Sequence, residues 1–245
     1  MLDLATAGAS EGSWLRAERQ TGGKGRQGRA WESPPGNLYA STLVRLRPAD
    51  PPAATLALVA AVALEEAVRV FLQSRHPSES WDLSIGARPR EAKDPSFRWG
   101  HGLCIKWPND LLVDGAKLSG ILLERADDAI VIGIGVNLAH HPDLPDRATT
   151  SLAVHAAAPD PATFLDVLAE SFARWLARWR QKGLDPVRQR WLDRAHAPGT
   201  ALTARLPDGE TIEGLFDGLT GDGALILRLA SGARRVIHAG DVFLI

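Results

Sequence analysis

Four short stretches of this chain carry side chains suited to chemistry. The first runs Gln20-Thr21-Gly22-Gly23-Lys24-Gly25-Arg26-Gln27-Gly28-Arg29-Ala30-Trp31, with four glycines and three cations in twelve residues. Glycine at that density weakens a helix or strand, but it lets backbone take φ > 0 or come very close to a ligand. The amide N–H groups of such a turn, with Lys24, Arg26 and Arg29 fixed among them, form a cradle for a phosphate or carboxylate. The spacing is not that of a P-loop, which needs Gly-x-x-x-x-Gly-Lys-Ser/Thr. Nor is it a dinucleotide fingerprint, because no acidic residue follows at the ribose distance on a βαβ unit. These residues alone leave two other readings open: a flexible basic turn, or an arginine-glycine segment that touches nucleic acid.

The second stretch is Lys106-Trp107-Pro108-Asn109-Asp110. A strand stops at a proline and at once presents an amide and a carboxylate, the kind of strand-end loop where functional residues gather. An Asx-turn that only satisfies backbone is the alternative. The third is Lys117-Leu118-Ser119-Gly120. Lys117 follows an Asp114-Gly115 turn and falls opposite Asp110 across a short hairpin, and Gly120 inside a strand marks a close approach to backbone. A solvated tip is the alternative for Lys117. The fourth is Gly133-Ile134-Gly135-Val136-Asn137, where two glycines leave room for a flat ligand or a packed helix. Asn137 both donates and accepts, as an adenine edge requires. The seven histidines form no set with metal spacing, and His140-His141 reads as a surface loop. No Ser/His/Asp arrangement and no nucleophile elbow is present.

The elements that position these stretches follow from periodicity and punctuation. Residues 1–12 read as the tail of a helix ending at Gly8, and Ser13–Arg19 as a strand that delivers the glycine loop. Asn37–Leu46 is a strand. A helix runs from Pro51 or Pro52 to Gln73 with Leu56, Val59, Ala60, Ala63, Ala67 and Val70 on one apolar stripe. Residues 74–100 are polar and proline-broken and read as a surface insertion pinned by Trp81, Phe97 and Trp99. Strands follow at Leu103–Lys106, at Leu111–Val113 and Leu118–Glu124 around the Asp114-Gly115 turn, and at Ala129–Val136, the last buried on both faces. Pro161–Lys182 is a second long helix with Phe164, Leu168, Phe172, Trp175, Leu176 and Trp179 inward. A shorter helix covers Leu184–Ala195. From Pro198-Gly199 onward, turns at Pro207-Asp208-Gly209, Gly221-Asp222-Gly223 and Ser231-Gly232 separate short strands, the pattern of a small β-barrel.

Composition narrows the class. The 245 residues carry 45% hydrophobic and 23% charged side chains and a net charge of −1, so a sizeable core is possible and no global field attracts nucleic acid or membrane. The single cysteine, Cys104, excludes an internal disulfide and a multi-cysteine zinc site, and reads as a buried, inert thiol. With no apolar run long enough to cross a bilayer and no signal peptide, the expected compartment is the cytoplasm.

Taken together, the four stretches resemble the biotin protein ligases, the biotin–acetyl-CoA-carboxylase ligases. That family carries Gly-Arg-Gly-Arg-x-Gly-Arg-x-Trp, Lys-Trp-Pro-Asn-Asp, Lys-x-x-Gly-Ile-Leu and Gly-Ile-Gly-x-Asn, and all four stand here in the same order. The resemblance implies an α+β fold. A mixed-sheet catalytic domain of the biotin/lipoate ligase type, like class II aminoacyl-tRNA synthetases, would occupy residues 1–197, and an SH3-like β-barrel residues 198–245. It implies ATP, biotin and Mg²⁺ as ligands and a biotin carboxyl carrier protein as acceptor, in a monomer or homodimer without nucleic acid or membrane partners. Carried over residue by residue, Gln20, Gly23, Lys24, Gly25, Arg26, Lys117 and Gly120 would contact biotin. Lys24, Arg26, Arg29, Trp31, Asn109, Lys117 and Asn137 would contact ATP or the adenylate. Lys117, Arg26 and Asp110 would carry the chemistry, with the metal held through phosphates and Asn109 or Asp110 as its side-chain ligands.

Three departures from the family pattern stand out. The Ser-Thr-Asn motif that precedes the glycine loop is missing, which implies either a start further upstream or weaker biotin binding. Lys24 replaces the usual arginine, keeping charge but losing the planar fork. Residues 74–100 exceed the usual connection. The lack of a DNA-binding region ahead of the loop implies a ligase without repressor function. Two rivals follow from the same residues: a lipoate ligase of related fold, and a binding module that holds the adenylate or nucleic acid without catalysis.

Overall fold

The computed structural model describes residues 1–25, 28, 31–73 and 102–244. Arg26, Arg29 and the 74–100 segment with its three aromatic pins therefore lie outside the described residues. The chain opens with α1 (Leu2–Thr6) and β1 (Trp14–Ala17), a shorter strand than the seven residues expected. Next come β2 (Leu38–Arg45) and, after a 3-10 turn, α2 (Leu56–Gln73). Four strands follow, β3 (Cys104–Lys106), β4 (Asp110–Val113), β5 (Ala116–Ala126) and β6 (Ala129–Val136). A short α3 (Leu152–His155), which hydrophobic periodicity did not reveal, leads to α4 (Pro161–Lys182) and α5 (Asp185–Leu192). The last strands are β7 (Ala201–Arg205), β8 (Thr211–Leu219), β9 (Leu225–Arg228), β10 (Arg234–Ile237) and β11 (Asp241–Leu244).

The first sheet has the order β1-β2-β6-β5-β4-β3 and the second β10-β9-β8-β7-β11, with neighbours antiparallel throughout. Among the described residues parallel pairing enters only through two single bridges, Ile105 with Ala195 and Lys117 with Thr149. Between β4 and β5, Asp114 and Gly115 take φ of 50° and 79°. Positive φ at both central residues is what a two-residue hairpin matching the strand twist demands, and Asp-Gly supplies it with little strain.

Strand alternation divides the first sheet into two faces. Leu38, Ala40 and Val44 of β2, Ile121 of β5 and Ile130, Ile132, Ile134 and Val136 of β6 belong to the core that α2 and α4 cover. Tyr39, Ser41, Gly120, Leu122, Gly133 and Gly135 line a cavity. Thus β6 is buried on both faces only in its first half. At Gly133 and Gly135 one face opens to the cavity, because the residues there have no side chain to fill it.

Helix α2 departs from the single-stripe expectation. It is buried nearly all round, Glu65 included, because the first sheet, α4 and α5 press on it from different sides. Glu65 has no exposed surface, and Arg69, Arg190 and Arg194 surround its carboxylate. Val70, expected to face inward, is 50% exposed; it stands in the last turns of the helix, where burial declines. On α4 the apolar stripe is inward as expected. Asp160 caps the helix by accepting from the N–H groups of Ala162 and Thr163, and Pro161 fits the first turn. Trp179 is fully buried and its Nε1 donates to Thr55 Oγ1 at 2.9 Å. Trp179→Ala is expected to destabilise the fold by about 3–5 kcal/mol through the cavity it leaves. The midpoint of urea unfolding at unchanged slope measures this.

Leu202, Phe216, Leu225, Leu227 and Val242 of the second sheet belong to the same contiguous core as α2, α4 and the first sheet. Trp191 of α5 bridges the two, its ring 6.4 Å from that of Phe216. No described helix is long and apolar enough to cross a membrane.

Candidate active site

Lys106, at the end of β3, and Asp110, at the start of β4, are register partners, so the three residues between them form a tight turn. Its Trp107–Pro108 peptide is cis. Trp107 is buried and its Nε1 donates to the Gly223 carbonyl at 3.2 Å. Asn109 is tied to β5: its Nδ2 donates to the Ile121 carbonyl at 2.7 Å, and its own carbonyl accepts from Ile121 N–H at 3.0 Å. This motif is more than an Asx-turn, because it presents a carboxylate between two lysines. Lys117 Nζ lies 2.6 Å from Asp110 Oδ1, and Lys106 Nζ lies 3.3 Å from Oδ2. Lys117 is not a solvated tip; its side chain is only 16% exposed.

These charges shape one another. Burial pushes the Asp110 carboxyl up, but the ammonium groups of Lys117 and Lys106 outweigh it and hold the group below its ordinary value. Burial pulls Lys117 below its ordinary value; Asp110 opposes this, while Lys106 and Arg147 add to it. A lysine so placed is a poorly solvated cation and gains most from an incoming anion.

Beside this pair is a platform made of absent side chains. Gly120 and Gly135 are register partners across β5 and β6. The Trp31 indole lies over both. A Cβ built on Gly135 would stand 2.7 Å from Trp31 Cε2, and one on Gly120 3.3 Å from Cζ3. Lys117 Nζ is 5.8 Å from that ring, and Trp31 Nε1 is buried without a hydrogen-bond partner among the described residues. The base of the glycine loop is closed by Trp31 N–H donating to the Gly23 carbonyl at 3.0 Å. Gly23 admits no side chain, since a Cβ would fall 2.6 Å from the Trp31 carbonyl oxygen. Gln20 Oε1 accepts from Ser33 Oγ at 3.1 Å.

The structure brings Gln20, Lys24, Gly25, Trp31, Asn109, Asp110, Lys117, Gly120 and Asn137 to the wall of one cavity of about 570 Å³, and sets Gly23 beside Gln20 and Trp31. That volume lies within the usual range for small-molecule sites. Asn137 is 3% exposed and its Nδ2 donates to the Thr150 carbonyl at 3.0 Å, so part of its capacity fixes the following loop. Sequence reasoning missed four contributors. Lys106 stood inside a motif but was given no role. Arg147 lines the cavity from a polar loop without any spacing signal. That loop is stitched to β5 by Lys117 N–H to the Ala148 carbonyl and Thr150 N–H to the Lys117 carbonyl, each 2.9 Å. Val242 and Phe243 reach the cavity from the second sheet, a contact no local pattern announces.

Cys104 lies apart, half-buried, with Sγ 3.4 Å from His196 Nδ1. Burial pushes the thiol up to about 12 and pulls His196 down to about 4, so both are neutral at pH 7. An unfolded chain takes up a proton on this histidine near pH 6.5, the folded one only near 4. Stability is therefore lost as pH falls through that window, by about 3 kcal/mol when complete. Unfolding midpoints at pH 7 and pH 4 should converge in His196→Gln relative to the wild type.

Two family descriptions match the chain: the biotin/lipoate A/B protein ligase family over residues 7–137, and the biotin protein ligase C-terminal domain over residues 201–245. The biotin–[acetyl-CoA-carboxylase] ligase of Paracoccus denitrificans is 38% identical over 96% of this chain and 92% of its own length. The biotin protein ligase from Aquifex aeolicus in complex with biotin and ATP superposes with a TM-score of 0.76, at 23% identity, over 96% of this chain and 90% of the other. The Leishmania major enzyme in complex with biotinyl-5-AMP gives 0.61 at 26% identity, over 97% of this chain and 94% of that one.

Proposed function

This chain belongs to the biotin/lipoate A/B protein ligase family, and from that premise we propose how its cavity performs the reaction. It is an ATP-dependent biotin protein ligase. Biotin's carboxylate attacks the α-phosphorus of ATP, giving biotinyl-5′-AMP and pyrophosphate. The ε-amine of an acceptor lysine on the biotin carboxyl carrier protein of a carboxylase then attacks the acyl carbon, forming an amide and releasing AMP. The single observation that carries the site assignment is the Lys117–Asp110 pair beside the Gly120/Gly135 platform, inside one cavity.

The first step brings two anions together, at a repulsion of about 4 kcal/mol at 4 Å and an effective dielectric of 20. Lys117 bridges the carboxylate and the α-phosphate, with Lys24 at the cavity mouth and Arg26 and Arg29 completing the loop's charge. Such a transfer depends on placement and charge compensation, so no enzyme nucleophile is required. Gln20, Gly23, Gly25 and Gly120 hold biotin against backbone; Trp31, Asn109 and Asn137 hold the nucleotide. Asp110 orients the incoming amine and accepts its proton. Mg²⁺, when bound, would be held chiefly through the ATP phosphates and would offset their charge, with Asn109 on the protein side, since lysines already flank both Asp110 oxygens. Residues 1–197 form the adenylating unit and 198–245 the barrel that closes one side of its cavity. The mixed anhydride hydrolyses easily, so the reaction requires the glycine loop to keep water from it.

The test is pyrophosphate exchange with ATP in the presence of biotin or lipoate, followed by mass analysis of a biotin carboxyl carrier domain. Biotin-dependent exchange and one added biotinyl group are expected. Exchange with lipoate alone overturns the substrate assignment.

A further inference from the structure

The Lys106–Asp110 turn is fastened to the second sheet at two points. Trp107 Nε1 donates to the Gly223 carbonyl, and Lys106 Nζ donates to the Val242 carbonyl of β11 at 3.0 Å. The Phe243 ring, 5.9 Å from the same ammonium, helps enclose it, and the Lys106 side chain is 15% exposed. From that anchored position Lys106 reaches Asp110 Oδ2, while Lys117 holds Oδ1.

The two lysines cannot have the same duty. On the reading above, the substrate carboxylate and α-phosphate draw Lys117 toward themselves during adenylation. Asp110 is 6% exposed, so losing its nearer counter-charge would leave a buried carboxylate poorly compensated. Lys106 is held from behind by a backbone carbonyl, which has no reason to move when ligands arrive. We propose that Lys106 is a positioning residue: fixed by β11 of the second sheet, it keeps the Asp110 carboxylate in place for the carrier-lysine step while Lys117 is engaged with the substrate anions. The second sheet thereby acts on acyl transfer through one side chain. The inference rests on Asp110 serving the acceptor amine.

Lys106→Met keeps the length and removes the charge; Lys106→Arg keeps the charge and the donors. In the full chain, biotin-dependent pyrophosphate exchange is measured separately from single-turnover transfer of preformed adenylate to a carrier domain. Lys106→Met is expected to slow transfer about tenfold or more at saturating carrier while exchange stays within about threefold, and Lys106→Arg to recover most of the transfer rate. A merely structural role would depress both half-reactions in parallel with thermal stability. Parallel loss, or transfer at the wild-type rate, overturns the proposal. If Lys106→Met does not fold, Phe243→Ala should show the same selective loss in milder form, and equal loss of both half-reactions there overturns it. A wild-type chain that supports no biotin-dependent exchange would instead refute the underlying reading, before any variant is compared.

Discussion

Lys117→Ala is expected to lower biotin-dependent pyrophosphate exchange by about 10²–10³-fold, the scale on which one well-placed charge or donor acts at a developing anion. The argument is geometric. Lys117 is the ammonium nearest Asp110, is mostly enclosed, and stands at the edge of the glycine platform. Its charge is already poorly solvated, so what it gains from an arriving carboxylate and phosphate is large. Removal also strands Asp110 with Lys106 alone, at a stability cost of about 2 kcal/mol, less than for a buried carboxylate losing its sole partner. Lys117→Ala combined with Asp110→Asn should recover stability without restoring exchange, which separates folding from chemistry. Exchange near the wild-type rate in a folded Lys117→Ala protein would remove Lys117 from the mechanism.

Gly135→Val should weaken ligand binding measurably with the fold retained. At this position even a Cβ would fall 2.7–2.9 Å from three atoms of the Trp31 indole. The neighbour is a rigid ring lying flat, not the far end of a flexible chain, so the ring must leave its seat. The platform that would receive a planar ligand is lost with it. Crowding of this kind costs about 1–3 kcal/mol, which corresponds to a loss in affinity of about 5–150-fold. Isothermal titration with biotin, then with biotin and MgATP, reads it directly. Wild-type affinity would show that the paired glycines serve packing alone.

The platform also illustrates what the sequence discloses. Two glycines in an apolar strand announce missing side chains, and Gly120 does the same in its own strand; that they lie side by side follows only from the antiparallel register. The Asp114-Gly115 turn was readable because its backbone chemistry is local, but Lys117 is not the strand partner of Asp110: the register pairs Lys117 with Leu112 and Asp110 with Gly120, and the long lysine side chain meets the carboxylate diagonally. The long stripe of α4 was readable because one face dominates. The surroundings of α2 were not: a helix pressed from several sides has no single stripe, so Val70 was misplaced and the buried Glu65 with its three arginines went unnoticed. Lys106, Arg147 and the β11 edge belong to the site through contacts between residues far apart in the chain, which no periodicity encodes.

The shared core of the two sheets has a further consequence. Leu202, Phe216 and Val242 pack into the same apolar mass as Trp191, α2 and α4. A boundary drawn at Pro198-Gly199 is thus a change of architecture but not a thermodynamic seam. Cutting there would bare an apolar flank on each piece, so calorimetry of the whole chain is expected to show one cooperative transition rather than two.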